Sequence, residues 1–398
     1  MKRVYVVGTA DTKGEEIDHL AGLVAARGAA VARVDVSTRA PADGFEFGAA
    51  EVAASHPDGV DAVLGLDDRG RAVEAMGTAL AVFIGARDDV AGIVGIGGGG
   101  GTSIVTAGMR ALPYGLPKLM VSTLASGDVA PYVGISDIIM MPSVTDMAGL
   151  NRLSRTILAN AAEAIAGMVL HPSAVADGLP ALGLTMFGVT TPAVMAIVER
   201  LRDRYDCLVF HATGTGGRTM EKLADSGMLA GILDITTTEI CDLLYGGVLP
   251  ATTDRLGAVA RTRLPYVGSV GALDMVNFWA MDTVPGIHAG RTLYRHNPNV
   301  TLMRTNAEEA RGIGTWLAGR LNRCEGPVRL LFPEKGISAL DIEGGIFFDP
   351  DADAALLGAL ETTLVRTADR QLIRLPLHIN DQAFAEAAAD IFLDIAKP

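Results

Sequence analysis

The chain has 398 residues, of which 49% are hydrophobic and 20% charged, enough to bury the cores of two or three domains and too apolar for global disorder. A formal net charge of −13 lacks the basic footprint of a nucleic-acid binder or of a protein held on an anionic membrane. Three widely spaced cysteines, Cys207, Cys241 and Cys324, make neither a disulfide framework nor a C-x-x-C pair, so a reducing, cytoplasmic location is expected.

Taken in chain order, residues 4–7 read as a buried strand. Ile17, Leu20 and Val24 then share one helical face, with Thr12 and Glu15 spaced as a capping box ahead of them. Strands are expected at 31–36, 62–66, 93–96, 118–122 and 138–141. Met147, Leu150, Ser154, Ile157, Ala161, Ile165 and Met168 mark one side of a long helix. The segment 171–180 has the Pro, Gly and Ser content of a linker, and the pattern then restarts. It runs through a strand at 181–189, a helix with Pro192 in its first turn, strands at 207–211 and 231–235, and a helix around 220–223 between them. An irregular region spans 249–294, and strands at 300–304, 328–332 and 372–378 complete the half, with Asn306 and Glu309 spaced as a second capping box. Two long uncharged stretches, 90–109 and 178–198, are broken by five glycines and by two prolines, and read as strand, turn and helix start rather than membrane spans. Continuously apolar strands alternating with helices predict an α/β fold of two doubly wound Rossmann-like domains with mainly parallel sheets, at 1–175 and 176–398.

The strongest local motif is Gly97, Gly98, Gly99, Gly100, Gly101, Thr102 and Ser103, where a strand runs into five glycines and a helix is expected to begin at Thr102 or Ser103. Glycine lets backbone N–H groups approach a ligand closely, and the helix start adds about half a positive charge, which is how an α/β protein holds phosphate. Gly95, Gly97 and Gly100 also match G-x-G-x-x-G. No Asp or Glu lies between Asp89 and Asp128, however, so the acidic residue of a standard NAD site is missing, and the Walker pattern is absent too. Gly8, Thr9, Asp11, Thr12 and Lys13 follow the first strand, on the ligand edge of a doubly wound sheet. The hydroxyls and the lysine suit phosphates, and Asp11 suits Mg²⁺ directly or through water. Asp35 ends the second strand, at the usual place of a ribose-binding carboxylate. Ser122 ends another strand in a small polar turn that reaches Asp128, a second Mg²⁺ candidate.

The C-terminal half has its own anion loop, Thr213, Gly214, Thr215, Gly216, Gly217 and Arg218. His211, Glu334, Lys335 and His378 stand at strand ends and are the catalytic candidates, expected to converge on one sheet edge as acid, base and charge partners. His296, Asn297, Pro298 and Asn299 precede their strand and are expected at the opposite edge as a structural turn. Zinc-protease and nucleophile-elbow motifs are absent.

Residues 8–16, 97–103, 211–217 with Met220 and Glu221, 297–305 and 336–341 together resemble the ATP-binding family named after the plant protein that confers resistance to tomato mosaic virus. The resemblance covers nearly the whole chain. It implies a two-domain α/β protein that binds ATP with Mg²⁺ and dimerises, with nucleotide contacts at 8–13 and 97–103. The leading expectation is therefore a cytoplasmic ATP-binding protein that holds the phosphates on its N-terminal glycine loop near the interdomain cleft and uses ATP for transfer or ligation on a small acid. The competing expectations are a non-catalytic, ATP-dependent regulatory protein with a protein partner, and a lyase or isomerase of small carboxylates working through the C-terminal residues. The expected partners are the nucleotide, a further small molecule and a second copy of the chain, with neither nucleic acid nor membrane.

Overall fold

In the first unit, Met1–Ala176, the strands are β1 (Arg3–Gly8), β2 (Val31–Asp35), β3 (Val90–Gly97), β4 (Lys118–Ser122) and β5 (Ile139–Pro142). They pair in parallel in the order β2-β1-β3-β4-β5. This computed structural model describes residues 2–39, 43–172 and 178–396. Val4, Tyr5, Val6 and Val7 of β1 are all fully buried because helices cover both faces of the sheet. One face packs Met76, Leu80 and Ile84 of helix Arg69–Gly85 with Ile104 and Met109 of helix Gly99–Ala111. The other packs Ile17, Leu20 and Val24 of helix Ala10–Ala26 with Ile157, Ala161 and Ile165 of helix Arg152–Leu170. Arg152–Leu170 is long and apolar enough to cross a membrane. Its buried residues fall on one side, against the sheet, as in an amphipathic core helix.

The second unit, Asp177–Pro398, contains β6 (Ala181–Met186), β7 (Asp206–His211), β8 (Gly231–Thr236), β9 (Tyr266–Gly271), β10 (Met275–Phe278), β11 (Leu293–Asn297), β12 (Val300–Arg304), β13 (Val328–Pro333) and β14 (Arg370–Leu375). Six of these form a parallel sheet in the order β14-β13-β9-β8-β6-β7, and three form an antiparallel ribbon in the order β10-β12-β11. Two doubly wound, Rossmann-like α/β units with mainly parallel sheets are thus present, and the antiparallel ribbon is an addition to them.

Four local expectations fail for identifiable reasons. Residues 61–64 form one helical turn rather than a strand, since a short apolar run with only Val63 buried fits either element. The first helix begins at Ala10 with Thr9 as its N-cap residue, so the hydroxyl of Thr12 lies 3.0 Å from that of Thr9 and the Thr12–Glu15 box does not form. The long helix starts after Asn151, whose side chain accepts from the N–H groups of Leu153 and Ser154, leaving Met147 and Leu150 outside it. The region 249–294, read as irregular, supplies the fully buried β9 and β10. The Asn306–Glu309 capping box forms as expected, and the three cysteines are unpaired.

The second core encloses an ion network. The guanidinium of Arg255, 1% exposed, donates to Glu221 at 2.8 Å, Asp234 at 2.8 Å and Glu239 at 2.6 Å. Thr185 and Tyr266 donate to Asp234 as well. One cation therefore holds three buried carboxylates. Arg255→Leu leaves them without it and is expected to cost about 3–5 kcal/mol of stability, measured by urea unfolding. A loss below about 1 kcal/mol would refute this role.

Candidate functional site

In the first unit the strand order changes direction between β1 and β3, and their carboxyl ends flank a crevice. A cavity of about 340 Å³ lies there, lined by Thr9, Asp11, Thr12 and Lys13 after β1, Thr38 and Arg39 after β2, and the four glycines 98–101 after β3. Arg69, Val73 and Ile104 complete the wall. The sequence motifs at 8–13 and 97–103 are thus brought to one place.

Their members have different tasks. At Gly97 a Cβ would stand 2.5 Å from the Thr102 nitrogen, so this glycine serves a tight turn. At Gly98 and Gly99 the nearest protein atom to an added Cβ is 3.8 Å away, and neither residue has a positive φ. Neither packing nor backbone conformation requires glycine at these two positions; Gly98 is the N-cap, where glycine is accepted, and Gly99 opens the helix, where glycine is a poorer helix former than alanine. Leaving out side chains here keeps the helix start bare toward the cavity. No side chain caps that helix, and its first-turn N–H groups have no intrahelical acceptor. Thr102 and Ser122 are buried and bond each other at 2.7 Å behind the loop, and Ser103 Oγ donates to the Gly99 carbonyl. These three residues hold the loop in shape and do not line the cavity.

The β1 loop is fixed in a similar way. Gly8 packs closely against Ile17 and the Ile96 carbonyl. Asp35 is fully buried, and its Oδ1 accepts from the N–H of Ala10 and from both the N–H and hydroxyl of Ser37. Ser37 Oγ in turn accepts from the Asp11 N–H at 3.0 Å. Asp35 therefore ties two loops together and does not reach the cavity as a ribose ligand would. Lys13 lines the cavity from a non-helical backbone position, with Nζ 2.6 Å from the Met147 carbonyl. The side chains of Arg39 and Arg69, which the sequence reading did not select, form no hydrogen bond or ion pair among the described residues. Together with Lys13 they put three cations around one opening in a strongly acidic chain. Asp11 is the carboxylate of this lining. Asp128 lies elsewhere, accepting from the Ala130 N–H. Among the described residues no three His, Cys, Asp or Glu side chains converge as a metal cage.

The second unit differs. Its direction change falls between β6 and β8, where Thr190 and Thr236 are buried and bond each other at 2.7 Å. The antiparallel ribbon packs over this edge through Phe187, Val189, Met275, Leu302 and Phe347. The loop 213–218 has a protein partner in its concavity: the Gly214 N–H donates to Glu239 at 2.8 Å, and a Cβ at Gly217 would overlap the same carboxylate. Arg218 and Thr215 are exposed, and Thr213 and Gly216 are half-buried.

The four catalytic candidates do not converge. His211 ends β7, four strand spacings from β13 and so roughly 19 Å from it. It packs edge-on against Phe187, and burial pushes its imidazole below the ordinary value. Glu334 and Lys335 follow β13 and share a cavity, with Glu334 paired to Arg374. His378 lies behind Gly336, accepting the Asn380 N–H at Nδ1 and placing Nε2 2.9 Å from the Ser338 carbonyl. His296 also departs from expectation. It sits beside Gly188 after β6, at the carboxyl edge, because β11 and β12 belong to the ribbon and not to the parallel sheet.

Residues 2–174 match the N-terminal domain and residues 179–396 the C-terminal domain of an uncharacterised protein family, UPF0261. A UPF0261 protein of Rhizobium meliloti is 69% identical over 100% of both chains, and one of Clostridium tetani is 44% identical over 100% of this chain and 99% of its own. The ToMV resistance protein Tm-1 of Solanum lycopersicum is 41% identical over 99% of this chain and 56% of its own. With both of its domains matched and relatives aligned end to end, the chain belongs to the UPF0261 family, and the tomato Tm-1 proteins are its homologues.

Proposed function

We propose that the cavity between the carboxyl ends of β1 and β3 binds the phosphate chain of a nucleotide, ATP with Mg²⁺, and that the protein uses it for transfer or ligation on a small acid. The carrying observation is the bare helix start at Gly98 and Gly99, where protein packing leaves room for side chains that are absent. An anion seated there meets unpartnered N–H groups and the positive end of the helix dipole. Lys13, Arg39 and Arg69 add charge complementarity. Asp11 suits Mg²⁺, which keeps most of its waters and needs one or two carboxylates besides phosphate oxygens.

Titration calorimetry with ATP and Mg²⁺ tests this reading, and micromolar binding is expected. Gly99→Asp meets only Leu124 Cδ1 near its Cβ, so it folds while placing negative charge against the phosphates, and binding should be lost. Folded parent protein that binds no ATP would overturn the proposal. Arg39→Ala and Arg69→Ala should each weaken ATP about tenfold, roughly 1.4 kcal/mol, with a larger effect at low salt. Asp11→Asn should weaken binding in Mg²⁺ and leave binding in a chelator unchanged.

A further inference from the structure

The cavity of the first unit opens beside a second space. A groove of about 560 Å³ lies between helices Arg69–Gly85 and Gly99–Ala111, and Val73 is a wall of both. On the first helix the groove residues recur three and four apart from Gly70 to Val82, so they share one face, about 18 Å long. The end next to the cavity is formed by Val73, Glu74, Gly77 and Thr78, with Ser103 and Ala107 across from them on the second helix. A Cβ at Gly77 would stand 3.2 Å from the Ala107 Cβ, so glycine lets the two helices meet closely there. Val73 and Ala107 supply apolar surface above that contact.

The polar groups at this end are acceptors. Ser103 gives its hydroxyl hydrogen to the Gly99 carbonyl at 3.1 Å, and Thr78 gives its own to the Glu74 carbonyl at 3.2 Å, so both hydroxyls keep only lone pairs for a ligand. Glu74 is exposed, and its carboxylate forms no hydrogen bond or ion pair among the described residues. Arg110, at the far end, is held by Thr106 and by the Tyr132 carbonyl. A cavity ringed by Lys13, Arg39 and Arg69 thus adjoins a groove whose near end accepts hydrogen bonds and carries a negative charge. The ligand that matches both has an anionic end joined to a neutral end rich in O–H and N–H donors. A nucleotide has this division, with its phosphates on one side and its ribose hydroxyls on the other. In a doubly wound sheet the ribose is ordinarily held by a carboxylate at the end of the second strand. Asp35 stands there, but it is fully buried and taken up by Ala10 and Ser37, so a ribose needs a different carboxylate.

We propose that the nucleoside half of the nucleotide lies in the near end of this groove, with the Glu74 carboxylate accepting hydrogen bonds from the ribose hydroxyls. Val73 and Ala107 take the face of the base, and the lone pairs of Thr78 and Ser103 accept from its amino group. Glu74 is then a specificity-determining residue for the sugar, in the role that Asp35 has given up to loop architecture. This assignment rests on the reading of the adjoining cavity as the phosphate site.

The test is calorimetry of the intact protein in Mg²⁺ with ATP, with 2′,3′-dideoxy-ATP and with inorganic tripolyphosphate. The parent should bind ATP about tenfold more tightly than the dideoxy analogue, the usual scale for hydrogen bonds to a charged acceptor. Glu74→Ala puts a good helix former at an exposed helical position, so it folds. In this variant the two nucleotides should bind alike, and tripolyphosphate should bind as it does to the parent. Thr78→Phe, also at an exposed position, places a ring in the groove and should weaken ATP about tenfold while tripolyphosphate is unaffected. The nucleoside assignment falls, and the phosphate reading stands, if tripolyphosphate binds but the parent does not distinguish the two nucleotides. It falls in the same way if Glu74→Ala leaves their ratio unchanged, or if Thr78→Phe leaves ATP affinity unchanged. Folded parent protein that binds neither ATP nor tripolyphosphate overturns both readings together.

Discussion

A parallel sheet covered by helices on both faces leaves its polar groups one outlet, the ends of its strands. Strands β4, β8 and β9 are buried along their entire lengths. Hydroxyls, carboxylates and bare backbone consequently gather where the chain leaves the sheet and turns into the next helix. The cavity of each unit follows from how that edge is finished.

The two units finish it in opposite ways. In the first, the loops after β1 and β3 are built from small residues, and their polar anchors, Asp35, Ser37, Thr102 and Ser122, point into the protein. The anchors fix the loops from behind and leave the front open. In the second, threonine hydroxyls and the antiparallel ribbon cover the corresponding place. Glycine there packs against an internal carboxylate instead of facing a ligand. Open space moves along the edge to β13, where Lys335 and Asp353 stand. Two units with similar strand orders thus present different chemistry at their edges.

Much of this was legible in sequence. The fold class follows from strand–helix alternation, the expected strand 118–122 has its observed bounds, and the glycine run locates the strand-to-helix turn, although the helix expected from Thr102 or Ser103 begins at Gly99. What failed depends on contacts distant in sequence. The direction of an Asp35 or Ser122 side chain is decided by a neighbouring loop, so residues correctly placed near the cavity turned out to support it. Arg69 opens the helix Arg69–Gly85, and no helix was delimited between the strands expected at 62–66 and 93–96, so nothing marked this residue as standing at the edge. Loop 213–218 has the composition of an anion site, and only the fold reveals that Glu239, more than 20 residues on, already fills that role.

The bare opening of the Gly99–Ala111 helix also bears on motion. A first turn rich in glycine and without a side-chain cap is the part of a helix most prone to fray. An anion bound there would serve as the missing cap, so occupancy and local order become one equilibrium. Part of the intrinsic affinity is spent on winding that turn, and the same expenditure returns on release as a loosening of the loop. Such a site exchanges its ligand readily while remaining specific for it.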